Sequence, residues 1–248
     1  MNTFFKTQVF SDTNETANRL AMDIIRFAEH MFAYRENLYI ALSGGSTPQT
    51  MFSIIANEYP KATDWSRIHF FWVDERCVPF ESPESNFGIA DSLLFSKIEI
   101  PRQNIHPIHG GDDPLNEIVR YTGDILSHVP CSGKYPVFDV IILGMGNDGH
   151  TASIFPGQLD LFESPALCSI SQHPESGQKR ITLTGKVINN ALNLIFLITG
   201  DTKADKIKAI FEDTPESFDY PAKKIHPVNG NLSWYLDKKA AVYVEGKI

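Results

Sequence analysis

Asp148 and His150 stand two residues apart in Gly144-Met145-Gly146-Asn147-Asp148-Gly149-His150. An imidazole beside a carboxylate can take and return a proton near neutral pH, and the glycines let a ligand come close to the backbone. The segment also matches the G-x-G-x-x-G pattern of dinucleotide sites, but Pro156 and Gly157 interrupt the helix that pattern must open. Asp160 and Glu163 fall in irregular sequence instead of closing a strand, so proton transfer is the better reading.

Three further segments supply charge or backbone donors. Ser43-Gly44-Gly45-Ser46-Thr47-Pro48 joins an apolar run to a helical pattern, which suits either an anion cradle at a helix N-terminus or a capped tight turn. It lacks the Gly-Lys-Ser/Thr ending of a nucleotide-binding P-loop. Asp74-Glu75-Arg76 packs three charges after Trp72-Val73, in the manner of either a ligand site or a solvated strand end. Arg180 and Lys203 each lie beside an apolar run. They are the local cations that a chain of net charge −8 needs to hold a phosphate, while the same net charge argues against a nucleic-acid or membrane surface.

Other residue types carry less. His106-Pro107-Ile108-His109 has metal-like spacing but no third ligand in view, so no metal or other cofactor is expected. Ser46 is not in a G-x-S-x-G elbow, and Cys77 reads as a small buried residue. Cys77, Cys131 and Cys168 form no paired pattern and suit reduced thiols in the cytoplasm. There is no secretory leader pattern and no run approaching about 18 apolar residues, so no membrane association is expected.

The elements that must position these residues alternate along the chain. A long amphipathic helix is predicted through Ala17, Leu20, Ala21, Ile24, Ala28, Met31 and Phe32, and another from about Thr50 to Glu58. Asp113 and Pro114 are read as N-cap and first helical residue, with Leu115, Ile118, Ile125, Leu126 and Val129 on one face. Apolar strands are predicted at 38–42, 69–73, 138–143 and 193–199, the last followed by a helix to about Phe211, and an edge strand at Ala240–Glu245. Pro156–Lys179 reads as a long irregular connection around a short strand near Leu167–Ile170. Continuous apolar strands separated by helices imply one α/β domain over residues 1–248, doubly wound, with a mostly parallel sheet covered on both faces. In such sheets the site lies beyond the carboxyl ends of the strands, where the polar segments fall.

As an ordered set, several segments resemble the 6-phosphogluconolactonase family. They are Ser43–Pro48, Trp72-Val-Asp-Glu-Arg76, Glu84-Ser-Asn-Phe-Gly88, Gly144–Ser153 with Phe155-Pro156, Arg180-Ile-Thr-Leu-Thr184 and Lys203-Ala204. The resemblance implies a Rossmann-like fold shared with glucosamine-6-phosphate deaminases, and hydrolysis of a small phosphorylated lactone without a cofactor. The deaminases carry a Glu after their Gly-His segment, where this chain has Ser153-Ile-Phe-Pro156, and tend to have Tyr where it has Arg76. In place of the family's proline-rich approach to Arg180, the chain has His173-Pro-Glu-Ser-Gly-Gln-Lys179.

On this resemblance His150 is the base, and Asp148 orients either the imidazole or the water. Ser43, Gly44, Gly45, Ser46, Arg180 and Lys203 hold the phosphate, and Asp74 and Arg76 meet the sugar or the developing oxyanion. A monomer and a small homo-oligomer are equally compatible with the sequence.

Overall fold

Seven mutually parallel strands form the central sheet of this computed structural model, which describes residues 4–247. In chain order the strands are β1 (Gln8–Phe10), β2 (Leu38–Leu42), β3 (Ile68–Trp72), β4 (Asp74–Arg76), β5 (Ile105–His106), β6 (Cys131–Ser132), β7 (Tyr135–Pro136), β8 (Val140–Leu143), β9 (Cys168–Gln172), β10 (Lys179–Leu183), β11 (Asn193–Ile198) and β12 (Asn231–Asp237). The α-helices are α1 (Thr13–Met31), α2 (Ser46–Glu58), α3 (Asn86–Ala90), α4 (Pro114–His128), α5 (Gly185–Ile188) and α6 (Ala204–Phe211).

The sheet order is β1-β12-β11-β8-β2-β3-β5, with every neighbouring pair parallel. From the central β2–β8 pair the chain winds outward in both directions, as a doubly wound fold requires. The turns after β2 and β8 therefore part at the switch point and leave a crevice. All four residues of β8 and all six of β11 are buried, the pattern of strands covered on both faces.

Local chemistry sets the helix starts. The Asp12 carboxylate accepts the Glu15 N–H at 2.9 Å to cap α1, and Asp113 accepts the Asn116 N–H at 3.1 Å to cap α4, with Pro114 in the first turn as predicted. The buried side of α4 agrees with the predicted one in part, since Ile118, Ile125 and Val129 pack on the core. Glu117, Tyr121 and Ile125 face inward, while Leu115 and Leu126 are exposed. The polar residues are tolerated inside because they are paired: Arg120 forks onto Glu117, and the Tyr121 hydroxyl bonds both Trp72 N and Trp72 O.

The last strand also differs from expectation. It spans Asn231–Asp237 and lies inside the sheet between β1 and β11, while Ala240–Glu245 forms turns and the start of a 3₁₀ segment. Asp237 ends the strand by accepting the Gly200 and Ala240 N–H groups, which reverses the chain. Ala240, Ala241 and Val244 are buried against the core, so their apolar spacing reflects packing of a turn.

A second sheet carries much of the site. Strands β4, β10 and β9 form an antiparallel sheet in which Arg180 lies opposite Arg76 and Thr182 opposite Asp74. Val73 joins the two sheets: its N–H donates to Leu42 O at 2.9 Å and its carbonyl accepts from Leu183 N at 2.8 Å. The Pro156–Lys179 stretch is thus largely the approach to a hairpin, and its strand Cys168–Gln172 lies close to the predicted position.

Candidate active site

The switch-point crevice is lined by Ser43, Gly44, Gly45, Ser46, Asp74, Arg76, His150, Arg180 and Lys203. These are all the residues singled out from sequence except Asp148. Asp148 is not part of the lining and instead backs His150, with its Oδ1 2.6 Å from His150 Nδ1 and 3.1 Å from the His150 N–H.

The loop after β8 is built around this pair. Gly146 N donates to His150 O at 2.9 Å, Gly149 N donates to Gly146 O, and Thr151 Oγ1 donates to Gly144 O. With Nδ1 held by the carboxylate, Nε2 is the ring nitrogen left for chemistry, and Phe155 packs beside the ring at 4.7 Å. Burial alone would push the Asp148 carboxyl up, but the hydrogen bond and charge of the His150 ring and the His150 N–H outweigh it. The carboxyl is held below the ordinary carboxylate range and is ionised at neutral pH.

The loop after β2 ends in Gly45 at φ 111°, a left-handed value that favours glycine. Gly45 occupies the N-cap of α2, and no side chain caps the helix, so neither Ser46 nor Thr47 plays that part. The helix begins at Ser46, earlier than predicted, and its uncapped N–H groups start at the crevice. Thr47 Oγ1 lies 2.8 Å from Thr199 Oγ1, tying this turn to the one after β11.

The charged triplet at 74–76 is not a solvated strand end. Glu75 is buried and accepts hydrogen bonds from Arg76 N, Ser85 Oγ, Asn86 N and Phe87 N at 2.7–3.0 Å. Burial pushes its carboxyl up against the opposing pull of those donors, and its role is to fasten the start of α3. Asp74 accepts from Ser153 Oγ at 2.6 Å, which places a residue of the β8 loop against β4. Arg76 donates to Glu84 O at 2.6 Å, but its Nε is buried and makes no hydrogen bond; the same is true of Ser43 Oγ.

Arg180 stands directly across from Arg76. Burial pushes its guanidinium down, and Arg76 adds to this, against the pull of Asp74, Glu84 and Glu75. Like charges paired across strands are unfavourable on their own, and they leave this wall of the crevice rich in positive charge and in buried donors without partners. Lys203, in the 3₁₀ turn before α6, faces the same crevice.

Asn86 also lines the crevice and was not singled out from the sequence. Its Nδ2 donates to Asp74 O at 2.9 Å, and a Cβ on Gly44 would fall 1.9 Å from its Oδ1. Its signal was its place in Glu84-Ser-Asn-Phe-Gly88, a segment with no titratable group beyond Glu84. His106 and His109 point to different places: the His106 ring approaches His69, while the His109 ring lies beside Phe80 and Asp112.

A doubly wound α/β fold whose switch-point crevice gathers a His–Asp pair, two arginines and a lysine has the architecture of an enzyme. Residues 11–234 match the family model described as glucosamine-6-phosphate isomerases/6-phosphogluconolactonase, and the chain belongs to that family. It is 41% identical over 232 residues to a curated 6-phosphogluconolactonase of Haemophilus influenzae, covering 93% of this chain and 96% of that protein. A crystal structure described as devB protein superposes with a TM-score of 0.90 at 41% identity, covering 96% of this chain and 99% of the other. A monomeric glucosamine-6-phosphate deaminase, at 20% identity, shares the fold with a TM-score of 0.76 over 96% of this chain and 99% of its own.

Proposed function

We propose that the crevice hydrolyses 6-phospho-D-glucono-1,5-lactone to 6-phospho-D-gluconate, the oxidative pentose phosphate step, with His150 as general base. The observation that carries this reading is the 2.6 Å Asp148–His150 contact, which leaves Nε2 beside a crevice walled by Arg76 and Arg180.

His150 Nε2 takes a proton from water as the oxygen attacks the lactone carbonyl. The tetrahedral intermediate then collapses by breaking the bond to the ring oxygen. His150 returns its proton to that oxygen, which becomes the C5 hydroxyl, and the new carboxylic acid releases its own proton to solvent. Asp148 holds the imidazole and stabilises its charged form; the Nδ1 contact favours this role over holding the water. Arg76 meets the developing oxyanion and Asp74 the sugar hydroxyls. Arg180, Lys203 and the Ser43–Ser46 turn at the start of α2 clamp the phosphate, so that distant binding energy orients the carbonyl.

The opposing reading, a deaminase, needs a carboxylate where Ser153-Ile-Phe-Pro156 stands, and Ser153 is committed to Asp74. The deciding assay generates the lactone enzymatically and follows its opening with purified protein. Opening well above the spontaneous rate, with no ammonia released from glucosamine 6-phosphate and no loss after dialysis against EDTA, is expected. Ammonia release without lactonase activity would reverse the assignment.

The phosphate clamp has its own signature. Arg180→Ala should weaken use of the phosphorylated lactone ten- to a hundredfold, or about 1.5–3 kcal/mol for a charge-assisted contact. Turnover of unphosphorylated glucono-δ-lactone should barely change. Equal losses on both substrates would reassign Arg180 to the reacting centre or the fold.

The net charge of −8 and the three free thiols support a cytoplasmic enzyme with no nucleic-acid or membrane partner, a monomer or small homo-oligomer. Among the described residues no helix is long and apolar enough to cross a membrane.

A further inference from the structure

Away from the crevice, β3, β5 and the end of α4 bring three histidines together. His69 comes from β3, His106 from β5 and His128 from the last turn of α4, and none of them lines the crevice. One ring nitrogen from each lies within 4.8 Å of the other two. His106 is buried, stacked at 4.2 Å on Phe71, while His128 reaches the surface.

We propose that His69, His106 and His128 form a binding site for a divalent transition-metal ion, zinc foremost, with three imidazole ligands and a fourth position open to solvent.

The hydrogen bonds around the cluster already select the ligand atoms. Asp124 holds both rings through Nδ1: its Oδ1 lies 2.9 Å from His106 Nδ1 and accepts that N–H, and its backbone carbonyl, 2.9 Å from His128 Nδ1, accepts the other. That arrangement leaves Nε2 of each as the basic nitrogen, and a carboxylate behind a ligating imidazole is the usual outer support of such sites. Arg120 Nη1, 3.4 Å from Asp124 Oδ2, steadies the carboxylate in turn.

The third ring completes the set: His69 Nδ1 sits 2.9 Å from His106 Nε2, two ring nitrogens aimed at one another across a single proton. A metal ion takes the place of that proton, and neutral His69 then carries its single N–H on Nε2 and ligates through Nδ1. Zinc–nitrogen bonds of about 2.0–2.1 Å in tetrahedral geometry need the two nitrogens roughly half an ångström farther apart. His128 is at the surface and can move to complete the shell. Three imidazoles suit zinc, copper or nickel, and do not suit magnesium or calcium, which take oxygen ligands.

The neighbouring group His109, Asp112 and Glu117 is a weaker candidate, because both Glu117 oxygens are occupied by Arg120.

The test titrates zinc into chelator-treated protein by calorimetry, with cobalt as the spectroscopic probe. One equivalent of zinc per chain and the intense visible bands of tetrahedral cobalt are expected. His128→Ala, at an exposed position that the fold tolerates, should lower zinc affinity at least tenfold, and Asp124→Asn about 10–100-fold. His150→Asn should leave zinc binding unchanged. Absence of stoichiometric binding would overturn the proposal. Binding that survives His128→Ala and His69→Ala, or is lost in His150→Asn, would overturn it too by placing the ion elsewhere.

Discussion

His150→Asn should fold, bind 6-phosphogluconate as the parent protein does, and open the lactone about 10²–10⁴-fold more slowly, the usual contribution of a positioned acid–base group. The groups assigned to the phosphate, Arg180, Lys203 and the turn at Gly45, belong to other loops and are untouched by the change. Asparagine fills similar space beside Asp148 and cannot accept a proton from water. Residual activity should therefore lose the acidic limb of the pH–rate profile, which in the parent marks protonation of the base. Product affinity by calorimetry and initial rates across pH measure both effects. A variant with normal product binding and near-parent turnover would remove His150 from the mechanism and move the search to Asp74.

Gly146→Ala should cost about a hundredfold in lactone opening, with little change in melting temperature. A Cβ at Gly146 would fall 2.2 Å from both Cε1 and Nδ1 of His150 and 2.7 Å from Asp148 Oδ1. The colliding atoms belong to side chains in a partly exposed loop, so the added methyl displaces the imidazole and leaves the backbone in place. Displacement of a catalytic group by about 1 Å can cost on the order of 10²-fold. The measurement is kcat alongside thermal unfolding. A large loss of stability with proportionate loss of activity would mean that Gly146 serves the loop itself.

The parts of the fold legible in the sequence are those where one local rule dominates. β2, β3, β8 and β11 are apolar runs because parallel strands are covered on both faces, while α1 is announced by the helical spacing of its apolar residues and α4 by Asp113 and Pro114. β1, with three residues, carries too little pattern to be seen. Ala240–Glu245 misled because Val242, Tyr243 and Val244 suit a strand, whereas Asn231–Asp237 mixes polar residues with Trp234 and Tyr235 and still lies inside the sheet.

The site shows the same division. Turn chemistry exposed Ser43–Ser46 and Gly144–His150. The opposition of Arg76 and Arg180, and the meeting of His69, His106 and His128, depend on pairings between distant strands that no local rule encodes. Glu75 carried an ordinary strand-end signal, and only its four donors reveal that it is an internal fastener.

The opposed arginines have a consequence for the life of the protein in a cell. Arg76 Nε and Ser43 Oγ are buried without hydrogen bonds and Arg76 lies across from Arg180, so the fold gives up part of its stability at this crevice. A sugar phosphate that binds there stabilises the folded chain by RT ln(1 + [L]/Kd), about 2.7 kcal/mol at a hundredfold excess over Kd, a figure that already contains the relief of those contacts. Proteases and chaperones act on the unfolded fraction, so a difference of this size changes steady-state abundance several-fold.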